Sequence, residues 1–188
     1  MELTDLCKTL NVGALVCTES KLDNTVPDNI ILLEGYHEPL RHDRTRHGGG
    51  TLIYISEQFV FKRRHDLEEP NFEHIWADIE VNNLQFTLNA FYRPINESQD
   101  DHNKFLTTAE LILTKIQRHS YDNAIIAADL NFGNSYCKYP VLSPKPLNST
   151  APDLFESYGM TQLIDIPTLV TSDTISLVDL FFYIQSRK

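Results

Sequence analysis

Residues 124–133 decide the fold class, and they read Ala124-Ile125-Ile126-Ala127-Ala128-Asp129-Leu130-Asn131-Phe132-Gly133. A short apolar run of this kind predicts a buried strand, here ending in a carboxylate and a carboxamide. Strand alternation puts Asp129 and Asn131 on the same side while strand geometry persists, and Gly133 then breaks the strand. Such a strand delivers polar groups to the mouth of a sheet, where active sites form. The alternative is a strand closed by an Asx turn, in which Asp129 only caps its own backbone.

Three further segments also combine an apolar strand with a polar residue. The run Val16-Cys17-Thr18 leads into Glu19, and Ala90-Phe91 leads into Tyr92-Arg93-Pro94. Ser176 precedes Asp179, which is embedded in an apolar run where an unpaired carboxylate would be costly. The ordered set of Glu, Tyr, Asp-x-Asn and Ser-x-x-Asp resembles the endonuclease/exonuclease/phosphatase superfamily and spans most of the chain.

The resemblance extends to one branch, the endonuclease domains of non-LTR (LINE-type) retrotransposons. Its features are Arg41-His42-Asp43-Arg44 leading to residues 47–54, then Tyr92-Arg93-Pro94, then Pro167-Thr168 with Thr171 before Ser176. The resemblance implies a single α/β domain over residues 1–188, a two-sheet sandwich flanked by helices in the four-layer deoxyribonuclease I-like fold. It implies Mg²⁺-dependent phosphodiester hydrolysis that nicks DNA, with DNA as a partner and a reverse transcriptase domain in a parent polyprotein.

The same resemblance implies a role for each polar residue. Glu19 would bind Mg²⁺, with Mn²⁺ as the alternative, and Asp129 would position or deprotonate the attacking water. Asn131 would hydrogen-bond the scissile phosphate, Tyr92 would contact that phosphate or the leaving group, and Asp179 would orient a catalytic histidine. The residues expected to touch DNA are Arg44, Arg46 and Thr168, although Leu169 stands where the family has a basic residue. A solvated strand-end acid at Glu19 and a core aromatic at Tyr92 are the alternatives.

Net charge argues against binding of nucleic acid through bulk charge. The chain carries a formal charge of −10 and has a sequence pI near 5.0. A divalent cation site needs a local excess of carboxylates, so the acidity does not exclude a nuclease. The basic cluster from Arg41 to His47, which holds Arg44 and Arg46, has two interpretations, a DNA contact or a solvated loop.

Composition also bears on the compartment of the protein. The three cysteines, Cys7, Cys17 and Cys137, are widely spaced, which indicates reduced thiols. The acidic start of the chain is unlike a signal peptide, and no apolar stretch reaches the length of a membrane span. We therefore expect an intracellular protein, nuclear or cytoplasmic and not secreted, without a membrane partner.

The local pattern predicts several elements. Residues 4–10 and the segment after Ser98, which forms a capping box with Asp101, have helical spacing. Residues 51–56 and 59–62 are predicted to pair as strands, and Asn82-Asn83 to turn residues 74–81 into residues 84–92. Residues 163–166 and 175–183 are predicted as the last strands. His102 is predicted to lie on a solvated helix face, together with His119.

Two elements of the family pattern have no counterpart, namely an opening strand with a metal-binding Asn and a closing strand with Ser-Asp-His. We therefore expect an incomplete domain that lacks its first and last strands, with weak or no activity of its own. Two other functions remain open. One is another phosphodiesterase or phosphatase of the same superfamily, and the other is a non-catalytic remnant or binding module.

Overall fold

The computed structural model describes residues 2–94, 98–118, 123–131, 150–173 and 175–185. The α-helices in these ranges are α1 (Leu3–Leu10), α2 (Gln99–Arg118) and α3 (Thr150–Ser157). The strands are β1 (Ala14–Thr18), β2 (Leu40–His42), β3 (Thr51–Ile55), β4 (Val60–Arg63), β5 (Glu73–Val81), β6 (Leu84–Tyr92), β7 (Asn123–Asp129), β8 (Thr161–Gln162), β9 (Leu169–Val170), β10 (Ile175–Ser176) and β11 (Asp179–Gln185). The predictions for His119, Gly133 and Cys137 lie outside the described residues.

The larger sheet, as far as it is described, has the strand order β4-β5-β6-β7-β11-β8. β5 and β6 form the predicted hairpin, and Asn82 and Asn83 adopt the left-handed conformation at its turn, with φ of 51° and 64°. β7 runs parallel to β6 because the chain crosses back through α2 between them. β11 then pairs antiparallel with β7.

The smaller sheet, of three strands, has the order β1-β3-β2 in the described residues, and all its pairs are antiparallel. β9 and β10 form a separate antiparallel pair. The predicted pairing of residues 51–56 with 59–62 is wrong, because β4 pairs with β5 in the larger sheet. Phe59 and Phe61 pack into the cluster between the sheets. The chain therefore passes from one sheet to the other after β3, with these two half-buried rings packed against the shared cluster.

Hydrophobic clusters connect the layers. Ile53 and Ile55 of β3 share one cluster with Ile75, Ile79 and Leu88 of the larger sheet. The other face of the larger sheet packs against α2 and α3, and α1 packs against the smaller sheet through Cys7. The predicted α/β class, with mixed parallel and antiparallel pairing, is confirmed.

The start of α2 follows the predicted capping box. The Ser98 hydroxyl accepts the Asp101 N–H at 3.2 Å, and the Asp101 carboxylate accepts the Ser98 N–H at 3.3 Å. The predicted apolar face is buried, including Phe105, Ala109 and Ile112. The prediction for His102 is wrong, because only 6% of it is exposed and its ring lies beside the Arg93 guanidinium.

The last strands are shorter than predicted. Residues 163–166 are not a strand, since β8 ends at Gln162, whose side-chain oxygen accepts the N–H groups of Leu163, Ile164 and Phe181. The stretch 175–183 divides into β10 and β11, and the break falls at Leu177 and Val178. This break places Asp179 at the first position of β11. No helix among the described residues is long and apolar enough to cross a membrane.

Candidate active site

The predicted polar residues of three strands meet at one end of the larger sheet. Tyr92, at the end of β6, stands opposite Asp129 of β7, and Asp129 stands opposite Asp179 of β11. The Tyr92 hydroxyl donates a hydrogen bond to Oε1 of Glu19, which follows β1 of the smaller sheet. Tertiary structure therefore brings Glu19, Tyr92, Asp129 and Asp179 together from four separate segments.

Glu19 is held in an unusual backbone conformation. Its φ is 52°, in the left-handed region that a non-glycine residue rarely adopts. Hydrogen bonds on its C-terminal side fix this turn, since Ser20 N–H donates to Gly50 O and Lys21 N–H to Gly49 O. The side chain is 42% exposed, and its Oε2 lies 3.8 Å from Nζ of Lys21. The turn thus presents the carboxylate to solvent beside Tyr92.

Among these acids, Asp129 has a strongly raised pKa. Burial, the charge of Asp179 and the charge of Glu19, in that order, raise its pKa to about 7, against a backbone hydrogen bond from Asn131 that lowers it. Its Oδ1 is buried and accepts no hydrogen bond from the described residues. The Tyr92 pKa is raised by burial and by the Glu19 carboxylate, so that Tyr92 is a hydrogen-bond donor at neutral pH.

Neighbouring like charges of this kind fit a divalent cation. Among the described residues, no group of three or more His, Cys, Asp or Glu side chains is arranged as a metal site. Mg²⁺ does not need one, because it keeps several waters and uses one or two carboxylates together with substrate phosphate. Glu19 and Asp129, with the unpartnered Oδ1 of Asp129, are the residues that would hold it.

Asn131 does not continue the alternation of β7. The strand ends at Asp129, and Asn131 has a φ of 52°, so the two side chains are not placed on one side by strand geometry. Instead, Nδ2 of Asn131 donates to the carbonyl oxygen of Arg93 at 2.8 Å. Asn131 is therefore next to the site, with its amide orientation set by the segment that follows Tyr92.

Thr168 contacts the start of β11. Its hydroxyl oxygen accepts the N–H groups of Val178 and Asp179 at 3.2 and 3.0 Å. Thr18, Asp129, Thr168 and Asp179 line a common cleft of about 310 Å³. Asp179 is exposed in this cleft, which explains how an acid is tolerated in its apolar run. In the described part of the chain no histidine hydrogen-bonds to Asp179, so its role in orienting one stays a prediction.

The two arginines predicted to touch DNA lie in different surroundings. Arg44 is 5.9 Å from the Tyr92 ring centroid, and its guanidinium is fixed by Glu73 at 2.6 Å and by the Gly48 carbonyl at 3.0 Å. Arg46 instead forms an ion pair with Asp23 at 3.0 Å and remains 61% exposed. The structure therefore places Arg44 beside Tyr92, whereas Arg46 pairs with a loop residue.

Glu73 is one site residue that the sequence analysis missed. Its carboxylate binds both Arg44 and the Gly50 N–H. A Cβ atom at Gly49 would overlap the side chains of both Arg44 and Glu73, so the glycine run is what allows this close approach. The run His47-Gly48-Gly49-Gly50 was the available signal, because consecutive glycines mark close backbone contact.

Arg93 is a second residue whose role the sequence did not indicate. Its N–H donates to Asp129 O at 2.9 Å, its Nη1 donates to Leu130 O at 3.1 Å, and its carbonyl accepts from Asn131. One residue thus contacts three consecutive positions, Asp129, Leu130 and Asn131. Its guanidinium is buried above the Phe105 ring, 5.6 Å from the centroid. The only signal for Arg93 in the sequence was its position directly after Tyr92 in the motif Tyr92-Arg93-Pro94.

Comparisons with known proteins agree on the fold. No family model and no curated protein matches this sequence. The endonuclease domain of TRAS1, a telomere-specific non-LTR retrotransposon, matches with a TM-score of 0.69 at 14% identity, covering 96% of this chain and 76% of that chain. A humanized D. rerio TDP2 matches at 0.63 with 11% identity, covering 98% and 75%, respectively. A Bacteroides thetaiotaomicron mannosyl-6-phosphatase matches at 0.64 with 13% identity, covering 96% and 74%. The resemblance to endonuclease/exonuclease/phosphatase proteins is therefore confirmed at the level of the fold.

Proposed function

We propose that this chain is a four-layer, deoxyribonuclease I-like domain that hydrolyses phosphodiester bonds with Mg²⁺ and nicks DNA. The observation that carries the proposal is the meeting of Glu19, Tyr92, Asp129 and Asp179 at one end of the larger sheet. A structural surface would gain nothing from three neighbouring carboxylates, because their repulsion opposes folding. A bound cation would offset this repulsion, and it would at the same time attract a phosphate substrate.

Each of these residues has a distinct role in the proposed hydrolysis. Asp129 positions the attacking water or accepts its proton. Tyr92 donates a hydrogen bond to a phosphoryl oxygen or the leaving oxygen, and Arg44 and Asn131 orient the phosphate. Glu19 and Asp129 are the residues that would hold Mg²⁺, and the bound cation would supply positive charge against the phosphoryl oxygens.

DNA is proposed as the substrate because of the fold shared with the TRAS1 endonuclease domain. Arg44, exposed beside Tyr92, and Thr168, in the carboxylate cleft, are the residues proposed to contact the strand. Arg46 is proposed as a contact further from the carboxylates. A reverse transcriptase domain in the same polyprotein and an intracellular location belong to the same proposal.

The proposal is tested by nicking of supercoiled plasmid with Mg²⁺ and with EDTA. We expect weak Mg²⁺-dependent nicking by the natural chain, and its loss in Asp129→Ala, because residues of one catalytic group act together. Glu80→Ala is the matched control, since Glu80 is an exposed acid on β5. Equal nicking by Asp129→Ala, once both are shown to be folded, would contradict the assignment.

A non-catalytic binding module is the second candidate. It is favoured by one observation, that no histidine in the described part of the chain hydrogen-bonds to Asp179. A folded chain that binds DNA without nicking it, in Mg²⁺ or Mn²⁺, would support this candidate over the first.

A further inference from the structure

A second pocket adjoins the carboxylates through Tyr92. It has a volume of about 630 Å³, within the range of ~300–1,000 Å³ typical of small-ligand sites. Tyr92 belongs to both places, because its hydroxyl bonds Glu19 and the residue also lines this pocket. Arg44, above the Tyr92 ring, lines the pocket as well. A substrate that places its phosphate at Tyr92 therefore has the pocket directly beside it.

The apolar wall of the pocket is aromatic. Phe72 meets Phe91 at a centroid distance of 6.3 Å and Phe105 at 6.5 Å. Phe91 and Phe105 are 3% and 0% exposed, whereas Phe72 is half-buried and is the ring of the three with accessible surface. A ring of this kind, supported from behind by two others, is a rigid platform for a planar ligand.

The rim of the pocket carries side chains of both positive and negative charge. Arg44 pairs with Glu73 and Lys104 lies near Asp101, whereas the Arg93 guanidinium is buried in the wall above the Phe105 ring. Within the described residues, Arg44 donates through Nε and Nη1 to Gly48 and Glu73, so that Nη2 remains available to a phosphate oxygen. Lys104 lies 3.5 Å from Asp101 and is 71% exposed. The pocket thus combines a stacking surface with cations at its mouth.

We propose that this pocket binds the base of an unpaired nucleotide adjoining the cleaved phosphodiester, with Phe72 as the stacking residue. The inference rests on the proposed function and deepens it, since it assigns a preference for single-stranded or flipped DNA. A paired base is already stacked in its duplex and cannot reach an aromatic wall beside the phosphate. Base–aromatic stacking tolerates any sequence, so the pocket selects unpaired strands rather than a particular base.

The test compares two octamers of equal charge, oligo-thymidine and an oligomer of abasic tetrahydrofuran units. Binding is measured by fluorescence anisotropy in EDTA, which prevents cleavage. The natural chain is expected to bind the base-bearing octamer about tenfold more tightly. Phe72→Leu keeps an apolar side chain but removes the ring, and is expected to lower this preference to near one. Phe86→Leu is the control, because Phe86 is a half-buried residue of β6 at the end away from Tyr92.

The outcomes separate this inference from the proposed function. Loss of the preference in Phe72→Leu but not in Phe86→Leu supports the base pocket. An unchanged preference in Phe72→Leu, or equal binding of both octamers by the natural chain, overturns the pocket while Mg²⁺-dependent nicking keeps the proposed function. Absence of both binding and nicking overturns the two together.

Discussion

At the residue scale, Asp129 is an acid that is both largely buried and close to two other carboxylates, those of Asp179 and Glu19. Its Oδ1 lies without a partner among the described residues, and burial with two acidic neighbours raises its pKa to about 7. Arg93 shows the complementary arrangement, in which one buried residue binds Asp129, Leu130 and Asn131 through its backbone and guanidinium. The first residue is the one proposed to carry the chemistry, and the second holds the backbone of that segment.

The raised pKa of Asp129 predicts a pH dependence of stability. A folded-state pKa above the unfolded value contributes stability that is full below about pH 4 and is lost as the pH rises through about 7. Without metal, the contribution of Asp129 to stability should therefore be smaller at pH 8 than at pH 5. The pKa values of His74 and His102 are lowered by burial and act in the opposite direction, equally in the natural chain and in an Asp129 variant. Asp129→Asn should remove this loss and raise the free energy of unfolding at pH 8 by about 1 kcal/mol, a figure reduced for partial exposure.

Urea unfolding in EDTA at the two pH values measures this effect. Glu57→Gln serves as the control, because Glu57 is an exposed loop acid and should keep the natural profile. An identical pH dependence in Asp129→Asn and the natural chain would rule out Asp129 as its source.

At the element scale, α2 is the element whose start the sequence specified most completely. Ser98 and Asp101 exchange backbone and side-chain hydrogen bonds, and Ser98 Oγ also donates to the Asp101 carboxylate at 2.7 Å. Ser98→Ala should lower the free energy of unfolding by about 1 kcal/mol, because it removes the N-cap acceptor. Thermal or urea unfolding measures the change.

Thr107→Ala is the matched control in the same helix. The Thr107 hydroxyl donates to the Asn103 carbonyl one turn earlier and is exposed, so its loss should be close to neutral. A similar destabilisation in both variants would show that the capping box is not what holds the start of α2.

At the scale of the whole molecule, the site depends on both sheets. Glu19 comes from the smaller sheet, and Tyr92, Asp129 and Asp179 come from the larger one. A cation held by Glu19 and Asp129 would therefore bind a residue beside each sheet. Any ligand that binds only the folded state raises stability, by ~2.7 kcal/mol at a hundred times its Kd.

We expect Mg²⁺ to raise the thermal midpoint, by about 2–4 °C for each kcal/mol of stabilisation. The shift should be larger at pH 8 than at pH 6, because the cation binds the ionised carboxylate and Asp129 ionises near pH 7. Differential scanning calorimetry with Mg²⁺, beside NaCl of equal ionic strength, measures it. Asp129→Ala should lose the specific shift; an equal shift in that variant would place the bound cation elsewhere.

Features set by residues close together along the chain were predicted correctly, and features set by distant residues were not. The capping box, the buried face of α2 and the Asn82-Asn83 hairpin were predicted correctly, because each depends on neighbours within a few turns or across one short turn. The pairing of β4 with β5 was not, because a strand edge can pair with either sheet and side-chain burial decides between them. The burial of His102 was also predicted wrongly, because its contact with Arg93 arises only when α2 packs on the larger sheet.

By itself the sequence determined the α/β class, the capped helix α2 and the β5–β6 hairpin, and it placed Glu19, Tyr92 and Asp129 at the ends of apolar strands, since apolar periodicity and polar strand ends are local features. Only the tertiary structure decided that Tyr92, Asp129 and Asp179 occupy neighbouring strands in register, and that Glu19 reaches Tyr92 from the other sheet. It also decided the raised pKa of Asp129, because burial and like charge depend on what long-range packing brings within a few ångströms.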